Sequence, residues 1–418
     1  ILVDETLRAR LVENGRKAAL VRFQWETIAA EFRRVFNQMA DLGGALSVFI
    51  ATPLFPPAIG GPATYAGNLR DALVKRGHRV AVLSYRGANR GANGTDAGRI
   101  IFVSSRIPSG LKHLVFFTRA FFELARYDAA IVLDPFIVGL PVVLAARLLG
   151  KSVFLRVEGD FLWEIYIERT GEDLTLKEFY SHPPEGTMSV KEKIVRRFSR
   201  FVYQNSKALI FSSSWRKDIF INAYPGIGAR SVIIEPPWPE AGASSKERAK
   251  VIVWAGRFIK AKNLPRLIRA FLRASPDDFR LLFIGEGPEK ENIQNLLHDL
   301  GAGAKISIVP PLGHEELIEK IASSHAFALP SLSDVGPNVI LDCIRTGTPF
   351  LLTEESGFCE ALGGAGVFVN PKDEESITNA LKVLFDAKEH ALLRERISAF
   401  KKRHSWEEIA KEWFELYS

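Results

Sequence analysis

The chain has 418 residues, enough for two or three ordinary domains, and its 47% hydrophobic and 25% charged content is that of a globular protein, not a disordered or fibrous one. Two cysteines, Cys343 and Cys359, exclude a disulfide framework and favour a reducing compartment. The net charge of +7 and pI near 9.3 point to anionic partners (nucleotide, membrane surface or nucleic acid) without choosing among them.

Residues 1–38 read as two polar helices, the second carrying Trp25-Glu26-Thr27-Ile28-Ala29-Ala30-Glu31-Phe32. The far end carries Trp406-Glu407-Glu408-Ile409-Ala410-Lys411-Glu412-Trp413, identical at five of eight positions. The match makes 1–42 a helical tail resembling the end of a related upstream protein. A chain started at Met39 is then expected to keep its fold and activity. Two chance amphipathic helices are the alternative.

From residue 45 strand and helix alternate. A strand over 47–52 leads through a loop holding Gly60, Gly61 and Pro62 into a helix over about 63–76. Further strands read over 79–84, 100–104, 129–133, 153–157, 208–212 and 231–234. The long apolar run over 129–146 is interrupted by Asp134, Pro135 and Pro141, so it reads as strand, loop and helix; a membrane span needs about 20 apolar residues. Residues 236–250 have the Pro, Gly, Ser and charge of an interdomain linker. Strands resume over 251–255, 280–284, 305–309, 326–329, 350–353 and 367–369. The expected layout is a domain over 43–240, a linker over 241–250, a second domain over 251–388, and helices over 389–418 returning to the first. Repeated βα units imply two Rossmann-like, doubly wound α/β domains facing across a cleft, with ligands at the carboxyl ends of the strands.

Candidate chemistry clusters at those ends. In the first domain Gly60 and Gly61 open a helix where a substrate can approach its N-terminus. Glu158 and Asp160 follow a strand and suit a base or an acceptor-positioning group; Asp160 equally suits a helix cap. In the second domain Gly256, Arg257 and Lys262 place two cations beyond a strand end, as a diphosphate needs. Gly285 sits in a strand-end turn that lacks the third glycine of a dinucleotide fingerprint. The densest stretch is 327–358: a strand, a loop with Asp334, Gly336, Pro337 and Asn338, a helix over about 339–345, and another strand. Its helix N-terminus can hold an anion on free N–H groups, and Asp342, one turn in, can accept from a ribose or sugar hydroxyl. His314 and His325, around a helix over 315–324, read as structural. No His/Cys cluster has metal-ligand spacing, so no metal is expected. Helices over 111–125 and 191–203 interleave phenylalanines with basic residues and suit an anionic interface, although packing with a solvated outer face is the plainer reading. The basic residues form no stripe with stacking aromatics, which argues against nucleic acid.

From about residue 48 to the end, the order and spacing of these motifs resemble the family 4 glycosyltransferases, retaining enzymes of the GT-B fold. The resemblance runs through Gly60-Gly61, Ser212-Ser213-Ser214, Gly256-Arg257 with Lys262, and Gly285-Glu286-Gly287-Pro288. It continues through Glu315-Glu316-Leu317, Leu329-Pro330-Ser331 and Gly347-Thr348-Pro349. The family's two glutamates separated by seven residues fall on Asp334 and Asp342. The resemblance implies sugar transfer from a nucleotide-sugar, UDP- or GDP-linked, with retention and without a bound metal or other cofactor. Arg257 and Lys262 would hold the diphosphate, Asp334 would face the donor sugar, and Asp342 the ribose. Backbone amides of Asn338 and Val339 would cradle phosphate, Pro337 having no N–H; Gly60, Gly61, Gly256, Gly285 and Gly336 would line the donor.

The departures are specific. Both acids are shorter by a methylene, Asp334-Val335-Gly336-Pro337 replaces the usual acidic-x-Phe-Gly, and Glu158-Gly159-Asp160 stands where the family carries an active-site histidine. The expectation is a glycosyltransferase acting on a glycan or lipid-linked acceptor in the cytoplasm, at the inner face of the membrane. Its rivals are a non-catalytic sugar-nucleotide-binding protein and a sugar-nucleotide epimerase of the same fold.

Overall fold

The strand-helix alternation builds two separate, wholly parallel sheets. The computed structural model describes residues 46–58, 60–86, 98–104, 106–242, 248–401 and 403–417; the helices expected over 1–42 lie outside the described residues. The first sheet contains β1 (Ser47–Thr52), β2 (Arg79–Arg86), β3 (Gly98–Ser104), β4 (Ala129–Val132), β5 (Ser152–Arg156), β6 (Ala208–Phe211) and β7 (Ser231–Ile233). The second contains β8 (Ala249–Arg257), β9 (Arg280–Glu286), β10 (Ile306–Val309), β11 (Ser324–Leu329), β12 (Phe350–Thr353) and β13 (Val367–Val369). Helices cover both faces, so β4, β6 and β12 are buried along their whole length, which is why they read as unbroken apolar runs.

The strand orders are β3-β2-β1-β4-β5-β6-β7 and β10-β9-β8-β11-β12-β13. The order in which strands are added reverses at β1/β4 and at β8/β11, and a crevice opens beyond the carboxyl ends of those strands. The loops carrying Gly60, Asp334 and the helix Asn338–Thr346 leave from β1 and β11.

Some boundaries differ from the sequence reading, each for a local reason. The first helix begins at Gly61, because Pro62 lacks an N–H and has a fixed φ that suits a first turn. The helix His314–Ala322 stops early, and Ser324 already begins β11. The linker is anchored: Trp238 is buried against Phe358 and Phe400 and exchanges backbone hydrogen bonds with Arg403. Gly242 lies so close to the Arg345 carbonyl that a Cβ there would sit 2.0 Å from its oxygen.

The chain end divides between the domains. Ala387–Ser398 stays with the second, burying Leu393 and Ile397 in its core. Trp406–Tyr417 crosses to the first, where Ile409, Ala410 and Trp413 join the core beside Gly61–Lys75. Trp413 donates its indole N–H to the Tyr65 hydroxyl at 2.9 Å.

The two domains also touch along one flank of the cleft. Ile259, Ala261 and Leu332 of the second are buried in the core of the first. Arg266 forks onto Asp173 at 2.6 and 2.9 Å, Lys372 meets Glu178 at 2.8 Å, and the Lys260 N–H donates to Glu168 at 3.0 Å. This contact sets how loops from the two sheets face each other.

Candidate active site

On the second domain's side, the site is built on a short 3₁₀ turn, Lys260–Lys262, after β8. Asn263 ends the turn in the left-handed conformation, which asparagine tolerates. Its buried side-chain amide donates to the Pro330 and Pro371 carbonyls at 2.9 and 2.7 Å, pinning the turn against the loop after β11. Lys262 is thereby aimed at Asp334, with Nζ 2.6 Å from Oδ2. The Ser331 hydroxyl donates to the same oxygen at 3.1 Å, and the Asp334 N–H donates to the Glu355 carbonyl at 2.9 Å. Arg257 ends β8 with its side chain exposed.

The helix Asn338–Thr346 starts beside this pair. Pro337 precedes it and no side chain caps it; the Ile340 N–H turns back to the Pro337 carbonyl at 2.9 Å, so the N–H groups of Asn338 and Val339 remain for an anion, with the positive end of the helix dipole behind them. Asp342 lies one turn in. His314 Nε2 is 3.2 Å from its Oδ2 and Arg345 donates to Oδ1 at 2.9 Å; burial nevertheless holds its pKa above the usual carboxylate value, these two partners opposing the shift. His314, read from sequence as structural, is thus a partner of a candidate ribose acceptor. Its position at the start of a helix distant in the chain gave no hint of this.

Gly285 and Gly287 are also required by the backbone packed against them. A Cβ on Gly285, whose φ is +155°, would sit 1.9 Å from the Gly256 carbonyl oxygen, and one on Gly287 would sit 2.3 Å from that of Phe258. The space the glycines free is filled by the neighbouring backbone, which bonds Phe258 N–H to the Glu286 carbonyl at 2.8 Å. Gly256 is likewise crowded, with the Trp254 ring 3.1 Å from where its Cβ would lie.

The first domain contributes two loops. Gly60, with φ +145°, leads into Gly61, where a Cβ would lie 3.1 Å from the Asn338 side-chain nitrogen. A Cβ on Gly336 would lie 3.4 Å from Glu158 Oε2. Gly61 and Glu158 therefore face Asn338 and Gly336 across the cleft, and bulk at either glycine would push the faces apart. Glu158 is held by Arg156 at 3.5 Å, and that guanidinium lies 3.7 Å over the Tyr65 ring. Glu158 Oε1, the oxygen that faces Arg156, is buried and makes no hydrogen bond among the described residues. Such an atom costs stability unless a ligand group or water satisfies it.

Asp160 is a buried structural hub. Its Oδ1 accepts from the Trp163 N–H at 2.9 Å, capping Phe161–Thr170, while its Oδ2 accepts from the Tyr180 hydroxyl and from Arg216, each at 2.9 Å. Arg216 is fully buried. Glu164, one turn further on, was not singled out from the sequence. Burial raises its pKa, as do the Asp160 and Asp334 carboxylates, while Lys262 and Arg257 oppose the shift. A second acid four residues after a capping aspartate lies on the same helix face, which is the signal that could have found it. Among the described residues no group of His, Cys, Asp and Glu side chains is arranged to hold a metal ion.

Comparison with known proteins adds to this geometry. Residues 60–238 match the glycosyl transferase 4-like domain and residues 240–413 match glycosyl transferases group 1. An exopolysaccharide phosphotransferase of Streptomyces coelicolor is 30% identical over 178 residues, 40% of this chain and 18% of that protein. A D-inositol 3-phosphate glycosyltransferase of Corynebacterium urealyticum is 29% identical over 182 residues, 40% of this chain and 43% of the relative. The chain thus spans less than half the length of these two curated relatives. An Anabaena protein solved in complex with UDP and glucose superposes with a TM-score of 0.66 at 15% identity, covering 88% of this chain and 98% of that one.

Proposed function

This chain belongs to the family 4 glycosyltransferases and has their GT-B fold, and from that premise we propose that it moves a sugar from a nucleotide-sugar to a glycan or lipid-linked acceptor. The transfer proceeds with retention and without a bound metal or other cofactor, and the donor is a UDP- or GDP-sugar. Lys262 and Arg257 bind the donor diphosphate, whose charge rises as its bond to the sugar breaks, and the open N-terminus of Asn338–Thr346 shares that charge. Asp334 faces the sugar. Asp342, already oriented by His314 and Arg345, accepts from the ribose with its remaining lone pairs. Glu158, at the place of the family's histidine, offers a sugar or acceptor hydroxyl an oxygen that is ion-paired with Arg156 but makes no hydrogen bond. The place of action is the cytoplasm, at the inner face of the membrane.

The observation that carries this reading is the pair Lys262–Asp334 set beside an uncapped helix N-terminus. A cation and the open N–H groups of Asn338 and Val339 converge there, and one carboxylate pairs with the cation. The test is thermal denaturation of the full chain with UDP-, GDP- and ADP-sugars, since a ligand of the folded state raises its apparent stability. One UDP- or GDP-sugar should shift the transition, the shift should vanish in Arg257→Ala, and chelators should leave it unchanged. No shift with any of the three nucleotides would remove the donor assignment.

A further inference from the structure

Three neighbouring helices of the first domain concentrate apolar side chains where water should be. Among the described residues twelve large hydrophobic side chains are exposed, and eight lie on Ser109–Leu124, Gly139–Leu149 and Val190–Gln204. The middle helix packs against both of the others, so their outer faces are continuous.

Each helix follows the same pattern. Leu111, Leu114 and Phe122 form one outward line at helical spacing, with exposures of 54, 57 and 69%. Leu144 and Leu148 form the second, and Val190, Ile194 and Phe198 the third. The inward lines are distinct residues: Phe116, Val195 and Val202 are buried in the core, so the outer apolar lines are not needed to close it. Phe116, grouped from sequence with the interfacial phenylalanines, is thereby assigned to the core.

Charge on these helices is one-sided. Lys112, Arg119, Arg147, Lys191, Lys193 and Arg197 are among the basic residues flanking the apolar lines. The three helices contain two acids, Glu123 and Glu192; both are buried, and Arg169 forks onto Glu192 at 2.8 and 2.9 Å. No helix among the described residues is long and apolar enough to cross a membrane. Glu185, just before the third helix, pairs with Arg196 at 2.6 Å, but the exposed charges on the helices themselves are all basic; an apolar surface with such a rim matches the interface of an anionic bilayer, with hydrocarbon below and phosphate around it.

We propose that this three-helix face docks the protein on an anionic lipid bilayer, the apolar lines entering the headgroup boundary and the flanking cations meeting lipid phosphate. The face also runs to the cleft: His113, on the first of these helices, packs edge-on against Phe136, which stacks on Phe161 at the start of the helix Asp160 caps. A bilayer-anchored acceptor therefore reaches the cleft along the protein surface, a consequence that rests on the proposed transfer; the docking itself does not.

Sedimentation of the full chain with vesicles tests the docking without any catalytic readout. Binding to vesicles of phosphatidylcholine with about a third phosphatidylglycerol is expected, with little binding to phosphatidylcholine alone and loss as salt is raised. At ~1 kcal/mol per basic residue near such a surface, Arg197→Glu with Lys193→Glu should weaken binding at least about tenfold. Leu114→Ser with Phe122→Ser should do the same, while Leu300→Ser, at an exposed site on the second domain, should not. Every one of these positions is exposed, and an unchanged melting curve verifies the fold of each variant. Failure to bind the anionic vesicles, or equal binding by all variants, overturns the proposal. So does light scattering that shows a dimer dispersed by Leu114→Ser with Phe122→Ser, since a second copy then covers the face. A donor-induced thermal shift retained by the face variants separates this result from the donor-site reading.

Discussion

Lys262 illustrates how a residue's partner in the fold bears on the role proposed for it. Its ammonium is partly exposed and bound to a single carboxylate, an arrangement worth little to stability but easily exchanged for a diphosphate. Lys262→Ala should therefore change the melting temperature of the free protein slightly, while abolishing the donor-induced shift. Transfer should fall by about 100- to 1,000-fold in kcat/KM, the usual loss when one group stabilising developing charge is removed. A variant with an intact donor shift would take Lys262 out of the site. Asp160 is the opposite case. Its carboxylate and the fully buried Arg216 neutralise each other, so Asp160→Ala strands an arginine in the core and should cost about 3–5 kcal/mol, read from the urea midpoint. Surviving folded protein should still show the donor shift. The cap was legible in Asp160 as a residue type that suits a helix start; Arg216, 56 positions away, was not, because nothing local in a sequence marks the partner of a buried charge.

At the scale of elements, the sequence was legible wherever a segment is buried on both faces. β4, β6 and β12 stand out as short apolar runs, and the helix Asn338–Thr346 is announced by Pro337 before it and Gly347 after it. What could not be read was which face of a helix meets what, as with Phe116, and which distant helix supplies a partner, as with His314. A further pairing of this kind ties β11 to the helix Ala387–Ser398. His325 and His390 stack with ring centroids 3.9 Å apart, and His390 donates to the His325 carbonyl at 2.9 Å. Burial, with His325, Arg248 and Arg394 nearby, pushes the His390 pKa down to about 4 from 6.5. The unfolded chain then binds more protons than the folded one between those values, so stability is lost as pH falls through that window and levels off below it. Discounted for partial exposure, the loss is roughly 1–2 kcal/mol. His390→Gln should accordingly lose about 1 kcal/mol less than the parent between pH 7 and pH 4.5 in urea titrations. Parallel pH profiles for the two proteins would exclude this linkage.

At the scale of the whole molecule, the chain end couples two domains that otherwise meet along one flank. Trp406–Tyr417 follows the second domain in sequence but completes the core of the first. Local patterning identifies this helix as amphipathic without saying which domain it covers, since that depends on where the chain before it leads. Trp413 is the center of the coupling: it is buried, and its indole N–H satisfies the Tyr65 hydroxyl. Tyr65 in turn lies beneath Arg156, which holds Glu158 at the cleft. Trp413→Ala should cost about 3–5 kcal/mol through its cavity and leave the Tyr65 hydroxyl without this donor. Because the loss falls on the first domain alone, one calorimetric transition in the parent should become two in the variant, the first domain melting earlier. The proposed donor residues Lys262, Asp334 and Asp342 belong to the second domain, so an added nucleotide-sugar should raise the upper transition and leave the lower in place. A single transition in Trp413→Ala would mean that the flank contacts alone hold the domains to one cooperative unit. A donor that raised the lower transition would put its binding site on the first domain.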